Sequence, residues 1–109
     1  MNRGEVWWVE EPDEGRRPHL VLTRDAAIGA LRRVIAVPAT RTVRGIPTEV
    51  VLDEVDGMPQ RCALSLDNVT VLPKSYFVTR ICRLRGERMV EVCSALGVAT
   101  GCRGVASSS

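Results

Sequence analysis

The chain consists of short segments with strand character, separated by turn-forming residues, and of one segment near the C-terminus with helical periodicity. Runs of β-branched residues and period-two alternation identify the strands. We predict strands over residues 4–10, 18–24, 34–37, 48–53, 62–66, 68–72 and 79–84; residues 62–66 and 68–72 can equally form one bent strand. This pattern favours a small, strongly bent antiparallel sheet or partial barrel.

The boundaries of these elements are predicted from proline, glycine and aspartate. Residues 11–17 are expected to form a loop, and Pro18 to begin the second strand, where a missing N–H does least harm. Pro38 is expected to end the third strand, and the polar, basic residues 40–45 to form the loop after it. Asp25 is predicted to cap a short helix that extends to Leu31.

A single longer helix is predicted at the end of the chain. Met89, Val92, Cys93 and Leu96 follow the i, i+3, i+4, i+7 spacing of one apolar helix face. Gly97 weakens this helix, and Gly101 is expected to end it. The fold class is therefore mainly β (α+β): a partial barrel closed by a C-terminal helix.

The length of 109 residues predicts one domain, which we assign to residues 1–102, followed by a disordered polar tail over residues 103–109. A core of this size is small, so association with a second copy would be an easy way to bury more surface. No stretch reaches the ~18 apolar residues of a membrane span, and the N-terminus has no apolar signal segment. We therefore expect a cytoplasmic protein with no membrane partner.

The cysteine pattern predicts neither a metal site nor a cofactor. Cys62, Cys82, Cys93 and Cys102 form no C-x-x-C pair, and the only histidine, His19, is distant from them in sequence. A zinc site would require closer spacing or more histidines. Two disulfides are formally possible, but nothing else indicates secretion. We expect four buried free thiols.

The positive charge of the chain is carried almost entirely by arginine. The net charge is only +2, but fourteen of the fifteen basic residues are arginine, with Lys74 the exception. The planar guanidinium group of arginine donates two parallel hydrogen bonds to a phosphate. A GC-rich genome would also favour arginine, so the positions of these residues carry more weight than their number.

The usual catalytic sets are sparse in this sequence. One histidine cannot supply an acid–base pair, and we interpret His19 as a partly buried strand residue. Arg16 and Arg17 precede the second strand, and Thr40 and Arg41 follow the third. If those strands are neighbours, Arg17 and Thr40 face each other across a groove and can bind a phosphate. The alternative is that the arginines are surface charges and Thr40 a turn residue.

Five short segments follow one another in unbroken order over residues 3–102: residues 3–7, 17–22, 37–40, 66–69 and 95–97. Together they resemble the MazF/PemK toxins, the mRNA interferases of bacterial toxin–antitoxin pairs. The opening Arg-Gly-Glu-Val-Trp is similar to the first strand of that family, and Val-Pro-Ala-Thr to its P-x-T/S motif. Each motif is short, but their order in a chain of this length is fairly specific.

The resemblance implies an SH3-like barrel that works as a homodimer, cleaves single-stranded RNA at short preferred sequences, and is inhibited by a small antitoxin whose flexible tail fills the RNA groove. By position, Arg17 matches the catalytic arginine of the family, Thr40 its catalytic Thr/Ser, and Asn68 an amide that contacts a base. The family's loop glutamate has no sure counterpart, and Glu14 is the nearest candidate for an acid or base.

Further RNA contacts are predicted from charge and aromaticity, and two departures from the family pattern bear on them. Positive groove walls follow phosphates, and an aromatic ring can stack on a base. The candidates for these contacts are Arg16, Arg24, Arg41, Arg44 and Trp8. Cys62 stands where many family members have serine, and Thr70 where many have an arginine. These departures could alter sequence preference or rate without changing the fold.

The predicted chemistry needs no cofactor, because RNA carries its own nucleophile. Attack of a 2′-hydroxyl on the adjacent phosphorus leaves a 2′,3′-cyclic phosphate and a 5′-hydroxyl. Arg17 would stabilise the added negative charge, and the Thr40 hydroxyl would provide another donor. Two other functions remain open on the sequence alone: a non-catalytic toxin of the same fold that binds DNA gyrase, and a plain SH3-like binding module.

Overall fold

A computed structural model describes residues 1–102; the predicted tail at residues 103–109 lies outside the described part of the chain. Three single turns of 3-10 helix, at Glu54–Asp56, Leu66–Asn68 and Lys74–Tyr76, join some of the strands. The main elements in chain order are β1 (Glu5–Glu11), β2 (Gly15–Val21), α1 (Asp25–Ile28), β3 (Arg33–Thr40), β4 (Glu49–Leu52), β5 (Cys62–Ser65), β6 (Thr70–Pro73), β7 (Phe77–Arg83) and α2 (Gly86–Thr100).

The seven strands form one curled antiparallel sheet in the order β4-β5-β3-β2-β1-β7, with β6 paired to β3 beside that path. The curl follows from β3, whose first half, Arg33 to Ala36, pairs with β6 while Ala39 and Thr40 pair with β5. One strand therefore contributes to two parts of the sheet that diverge. The result is an antiparallel half-barrel with one C-terminal helix, so the predicted fold class is confirmed.

The third strand does not end at Pro38, as predicted, but continues to Thr40. The N–H of Leu22 donates to the carbonyl of Ile35, so Ile35 directs its hydrogen-bonding groups toward β2. The direction alternates along a strand, so the residues at positions 36 and 38 direct theirs away from β2. On that far side β3 changes partners, because its pairing with β6 ends at Ala36 and its pairing with β5 begins at Ala39. A missing donor removes no ladder hydrogen bond at this point.

The predicted loop over residues 11–17 is shorter in the structure. Strand β1 extends to Glu11 and β2 begins at Gly15, so Arg16 and Arg17 belong to a strand and not to a loop. The turn between them contains two positive φ angles, 68° at Asp13 and 84° at Gly15. Asp and Gly tolerate this conformation better than other residues. The structure also separates residues 62–66 and 68–72 into two strands joined by a 3-10 turn.

The sheet has a hydrophobic cluster on each face. The larger one includes Leu20, Leu64 and Leu66 and is covered by α2, whose Val92 and Ala95 are buried in it. The smaller one includes Val9, Val21 and Phe77 and is covered in part by Ile28 of α1. Both faces of the central strands are therefore buried, which holds the curvature of the sheet.

Helix α2 ends at Thr100, and Gly101 at φ 71° forms its left-handed C-cap, as predicted. Cys93 was predicted on the buried face of α2 but is exposed. The face that packs on the sheet contains Val92 and Ala95 instead. The prediction that all four thiols are buried holds only for Cys62. All four cysteines are free, but only Cys62 is buried, Cys82 is half-buried, and Cys93 and Cys102 are exposed. No helix in residues 1–102 is long and apolar enough to cross a membrane.

Candidate functional site

A cavity of about 340 Å³ opens where the ends of β2 and β3 meet the segment that leads into β5. Arg17 and Thr40, which the sequence places in separate segments, both line it. The remaining lining residues are Trp8, Arg16, Pro18, Ala39, Arg41, Met58, Pro59, Gln60 and Cys62. Of the candidates named from the sequence, the structure therefore brings together Arg17, Thr40, Arg16, Arg41 and Trp8.

The cavity forms because the pairing of β2 with β3 stops at His19 and Pro38. Continuing this antiparallel register would place Pro18 opposite Ala39 and Arg17 opposite Thr40. The N–H at position 18 would have to face β3, because the N–H of Leu22 does so and every second residue has the same direction. Proline has no N–H to donate. The two strands therefore separate at Pro18, with Arg17 on one wall and Thr40 on the other.

The backbone carbonyl of Arg17 contacts the buried side chain of His19. The imidazole of His19 is 2% exposed, and its Nδ1 lies 3.2 Å from the carbonyl oxygen of Arg17. Since the partner is a carbonyl oxygen, Nδ1 must carry the proton and donate. Burial lowers the pKa of His19, so the ring is neutral at pH 7. We interpret His19 as a residue that positions Arg17, consistent with its interpretation from the sequence as a partly buried strand residue.

The lowered pKa of His19 predicts a loss of stability at mildly acidic pH. The unfolded state, with a pKa of about 6.5, binds a proton on His19 more readily than the folded state. The free energy of unfolding should therefore fall as the pH drops below about 6.5 toward the lower folded pKa. Urea denaturation at pH 7.5 and pH 5.5 measures this difference. Because His19 is the only histidine, His19→Asn should remove most of it, and an unchanged pH dependence in that variant would contradict the assignment.

The side chains of Arg17 and Thr40 are available to a ligand. Arg17 is exposed, and its guanidinium group makes no hydrogen bond or ion pair with any other part of residues 1–102. The Oγ1 atom of Thr40 accepts the N–H of Thr42 at 3.2 Å, which leaves the hydroxyl hydrogen free to donate elsewhere. The pair can thus present three or more N–H and O–H donors to one phosphoryl group.

Arg16 and Trp8 form a flat surface on the same cavity. The Cζ atom of Arg16 lies 4.7 Å from the centre of the Trp8 ring, a cation–π contact. Its Nε is 3.9 Å from Oε2 of Glu10, an ion pair between exposed groups. The adjacent Trp7 faces the other side of the sheet, where its indole N–H donates to Glu5 at 3.0 Å. Trp8 is therefore the tryptophan that can contact a ligand in the cavity.

The charge of the cavity is positive. Its lining includes three arginines and no carboxylate among the described residues. Burial raises the pKa of the Cys62 thiol, so this residue adds no negative charge at pH 7. Within residues 1–102, no group of three or more His, Cys, Asp or Glu is arranged to hold a metal ion. The lining is suited to an anionic ligand that also has apolar or aromatic surface.

Four other candidates do not line the cavity. Arg44 lies in the loop after Thr40, where its backbone N–H donates to Oε1 of Glu49 at 2.9 Å. Asn68 donates through Nδ2 to Ser65 at 2.7 Å. Arg24 lies beyond the opposite end of β2 from Arg17, and Glu14 is exposed in the β1–β2 turn.

Sequence reasoning missed the wall formed by Met58, Pro59 and Gln60. The segment lies between the predicted strands at residues 48–53 and 62–66, and nothing in its sequence indicates which other strands it approaches. Only the order of strands, which places β5 beside the end of β3, brings this segment to the cavity.

Comparison with known proteins assigns this chain and its fold to a class. Residues 2–100 match the family of PemK-like, MazF-like toxins of type II toxin–antitoxin systems. The chain is 48% identical over 101 residues to a probable endoribonuclease, MazF5 of Mycobacterium tuberculosis, covering 92% of this chain and 93% of that protein.

Solved structures give the same result. The M. tuberculosis toxin MazF-mt6 superposes with a TM-score of 0.85 at 30% identity, covering 92% of this chain and 99% of that one. A mycobacterial endoribonuclease in complex with its cognate antitoxin also has a TM-score of 0.85, at 26% identity, with 95% and 98% covered. The fold is thus that of the toxins that bacteria pair with an antitoxin. The chain belongs to the PemK-like, MazF-like family of these toxins.

Proposed function

We propose that this chain is a toxin that cleaves single-stranded RNA at preferred sequences, without a metal ion, and so inhibits translation and growth. The observation that carries the proposal is the convergence of Arg17 and Thr40 on one positively charged cavity at the point where β2 and β3 separate. The relatives that are named endoribonucleases support the same activity.

In the proposed reaction the 2′-oxygen of one nucleotide forms a bond to the adjacent phosphorus, and the bond from phosphorus to the 5′-oxygen breaks. The 2′-hydroxyl loses a proton, and the departing 5′-oxygen gains one. The guanidinium of Arg17 donates to the phosphoryl oxygens as negative charge builds on them, and the Thr40 hydroxyl adds a donor. The RNA supplies the nucleophile and the arginines supply the positive charge, which is why we propose that no metal is needed.

The two proton transfers require an acid and a base in addition to Arg17 and Thr40. Glu14, in the turn before Arg16, remains our candidate for the acid or base, although it is outside the cavity lining. RNA in the cavity would pass close to this turn, since Arg16 and Arg17 follow it on β2. Arginine stays protonated in proteins, so we assign charge stabilisation to Arg17 as its main task.

Contacts farther along the RNA are proposed for the remaining candidates. Arg41 lines the cavity, and Arg44 follows it in the same loop, so both can contact phosphates on the side of Thr40. Arg24 and Asn68 lie outside the lining and would contact only RNA that extends beyond the cavity. Trp8 and Arg16 offer a stacking surface for a base.

We also propose a cytoplasmic homodimer that is neutralised by an antitoxin of the MazE type, by analogy with the relative solved in complex with its cognate antitoxin. Messenger RNA in bacteria is translated in the cytoplasm, where such a toxin would act. Ile35 and Val71 face each other across β3 and β6 and are 41% and 54% exposed, an apolar pair that a second copy could cover.

The direct test is to incubate the purified protein with RNA of mixed sequence in EDTA and to analyse the fragment ends. We expect 2′,3′-cyclic phosphate and 5′-hydroxyl ends at a restricted set of sequences. Cleavage that requires an added divalent ion would overturn the metal-independent mechanism. Intact RNA together with growth arrest in cells would favour binding to DNA gyrase instead, and intact RNA without growth arrest would favour a plain binding module.

A further inference from the structure

The wall of the cavity opposite β2 carries one side-chain amide, that of Gln60, to which no role has been given so far. Gln60 is exposed, lines the cavity, and its side chain makes no hydrogen bond with any residue in 1–102. Its neighbours in the lining, Met58 and Cys62, are 3% and 4% exposed and form an apolar floor. Gln60 is the only residue of the lining with a side-chain amide.

The backbone that carries Gln60 is held in place by several contacts. Gly57 has φ 99°, and a Cβ added there would lie 2.7 Å from Cβ of Cys82, so the chain passes too close to β7 for any other residue. The N–H of Met58 donates to the carbonyl of Asp53 at 3.2 Å, and its Sδ lies 3.6 Å from Sγ of Cys82. The segment before Gln60 is therefore anchored without being part of the sheet, which places the backbone of Gln60 beside the cavity.

An amide is suited to recognising a base. It offers one acceptor and two donors side by side, and the exposed edge of an unpaired base offers a complementary donor and acceptor. The base would need a flat surface to stack on, and the guanidinium of Arg16 above the Trp8 ring provides one on the same cavity. We propose that Gln60 reads the edge of a single base of the RNA, next to the phosphate held by Arg17 and Thr40, and so sets sequence preference at that position.

Asn68 is the amide that the family pattern indicates for a base contact, but it lies outside the cavity and one of its N–H groups is already used within the protein. Its Nδ2 donates to Oγ of Ser65, and the residue lies outside the cavity lining. Gln60 has a free amide and lies on the same cavity as Arg17. For the base beside the cleaved phosphate, the geometry thus favours Gln60.

This inference rests on the proposed ribonuclease function, and cleavage of a randomised RNA pool tests it. The cut sites of the unaltered protein and of Gln60→Leu are sequenced and compared. We expect Gln60→Leu to cut the pool with discrimination reduced about 10-fold or more at one position and unchanged at the others. Gln60→Glu, which has acceptors only, should shift preference at that same position toward guanine, whose N1–H and N2–H groups are adjacent donors. Asn2→Leu, which removes an exposed amide outside the lining, is the matched control and should change nothing.

Unchanged site preference in both Gln60 variants would overturn the inference, and so would an equal loss of cleavage at all sites in variants that melt at the temperature of the unaltered protein. Binding of short RNAs with a 2′-deoxy group at the cut position provides a second measurement. If the protein binds these RNAs with a base preference that Gln60→Leu removes, yet cuts none of their all-ribose forms, the inference holds and the proposed ribonuclease function fails. If the protein cuts RNA and Gln60→Leu leaves every preference intact, the reverse is true.

Discussion

Arg17→Ala is expected to lower the rate of RNA cleavage by about 10²–10³, the usual cost of losing one preorganised donor to a developing negative charge. The effect should appear in the rate at saturating RNA more than in the affinity, because Arg41 and the stacking surface of Arg16 and Trp8 are still available on the cavity for the proposed RNA contacts. The melting temperature should not change measurably. Arg17 is exposed and makes no side-chain hydrogen bond within residues 1–102, so its removal costs no folded-state contact.

The matched control is Arg32→Ala. Arg32 is also exposed but lies before β3, away from the cavity, so its removal lowers the net charge equally without touching the site. We expect this variant to cleave RNA within a few-fold of the unaltered protein. Equal losses in both variants would show that arginine acts only through net charge. A folded Arg17→Ala variant with normal activity would remove Arg17 from the mechanism.

Arg88→Ala is expected to lower the free energy of unfolding by about 2–4 kcal/mol, a large fraction of the stability of a small domain. Arg88 joins α2 to the segment after β4: its Nε donates to Asp56 at 3.0 Å, its Nη1 to Glu91 at 2.7 Å, and its Nη2 to the carbonyl of Val51. The side chains of Arg88 and Asp56 are 22% and 13% exposed. Burial opposes the charge of Arg88, but hydrogen bonds to Glu91 and Asp56 outweigh it and raise the pKa. Alanine would leave the Asp56 carboxylate without its cation.

Arg85→Ala, three residues earlier, measures what an exposed pair contributes. Arg85 lies 3.4 Å from Glu87, with both side chains more than two-thirds exposed. Such pairs contribute at most about 1 kcal/mol, because solvent and salt screen them. Urea denaturation of both variants at pH 7 gives the comparison. A loss in Arg88→Ala no larger than that in Arg85→Ala would mean that the Arg88 contacts do not hold α2 to the sheet.

The sequence predicted the elements of the fold better than it predicted their ends. Alternation and β-branched residues located every strand, and the spacing of Met89, Val92 and Leu96 located α2. Pro38 was misjudged because the cost of a missing N–H depends on which side of the strand it faces, and that is a property of the sheet. The exposure of Cys93 was missed for a similar reason, since the helix has several apolar residues and only the packing selects among them.

The same distinction, between features that a local sequence pattern predicts and features that the packing sets, applies to the site. That Arg17 and Thr40 would share a groove followed from two motifs at the ends of strands, on the condition that those strands are neighbours. The role of His19 beneath Arg17 depended on the direction of one side chain. Gln60 lies in a turn with no periodicity, and its approach to the cavity depends on how β3 is shared between β5 and β6. Contacts set by sheet topology leave no local pattern in the sequence.

The end of β2–β3 pairing at Pro18 has a consequence for how this toxin can change over time. The arginine and threonine walls of the cavity belong to strands, whereas the wall at Met58–Gln60 belongs to a turn outside the sheet. Gly57 and Met58 anchor this turn to β7, but Pro59 and Gln60 are exposed, so substitutions at these two positions need not disturb the hydrogen-bonded strands that hold Arg17. Under the role proposed for Gln60, related chains with the same strands can differ in the base they prefer through a change at this one exposed turn position.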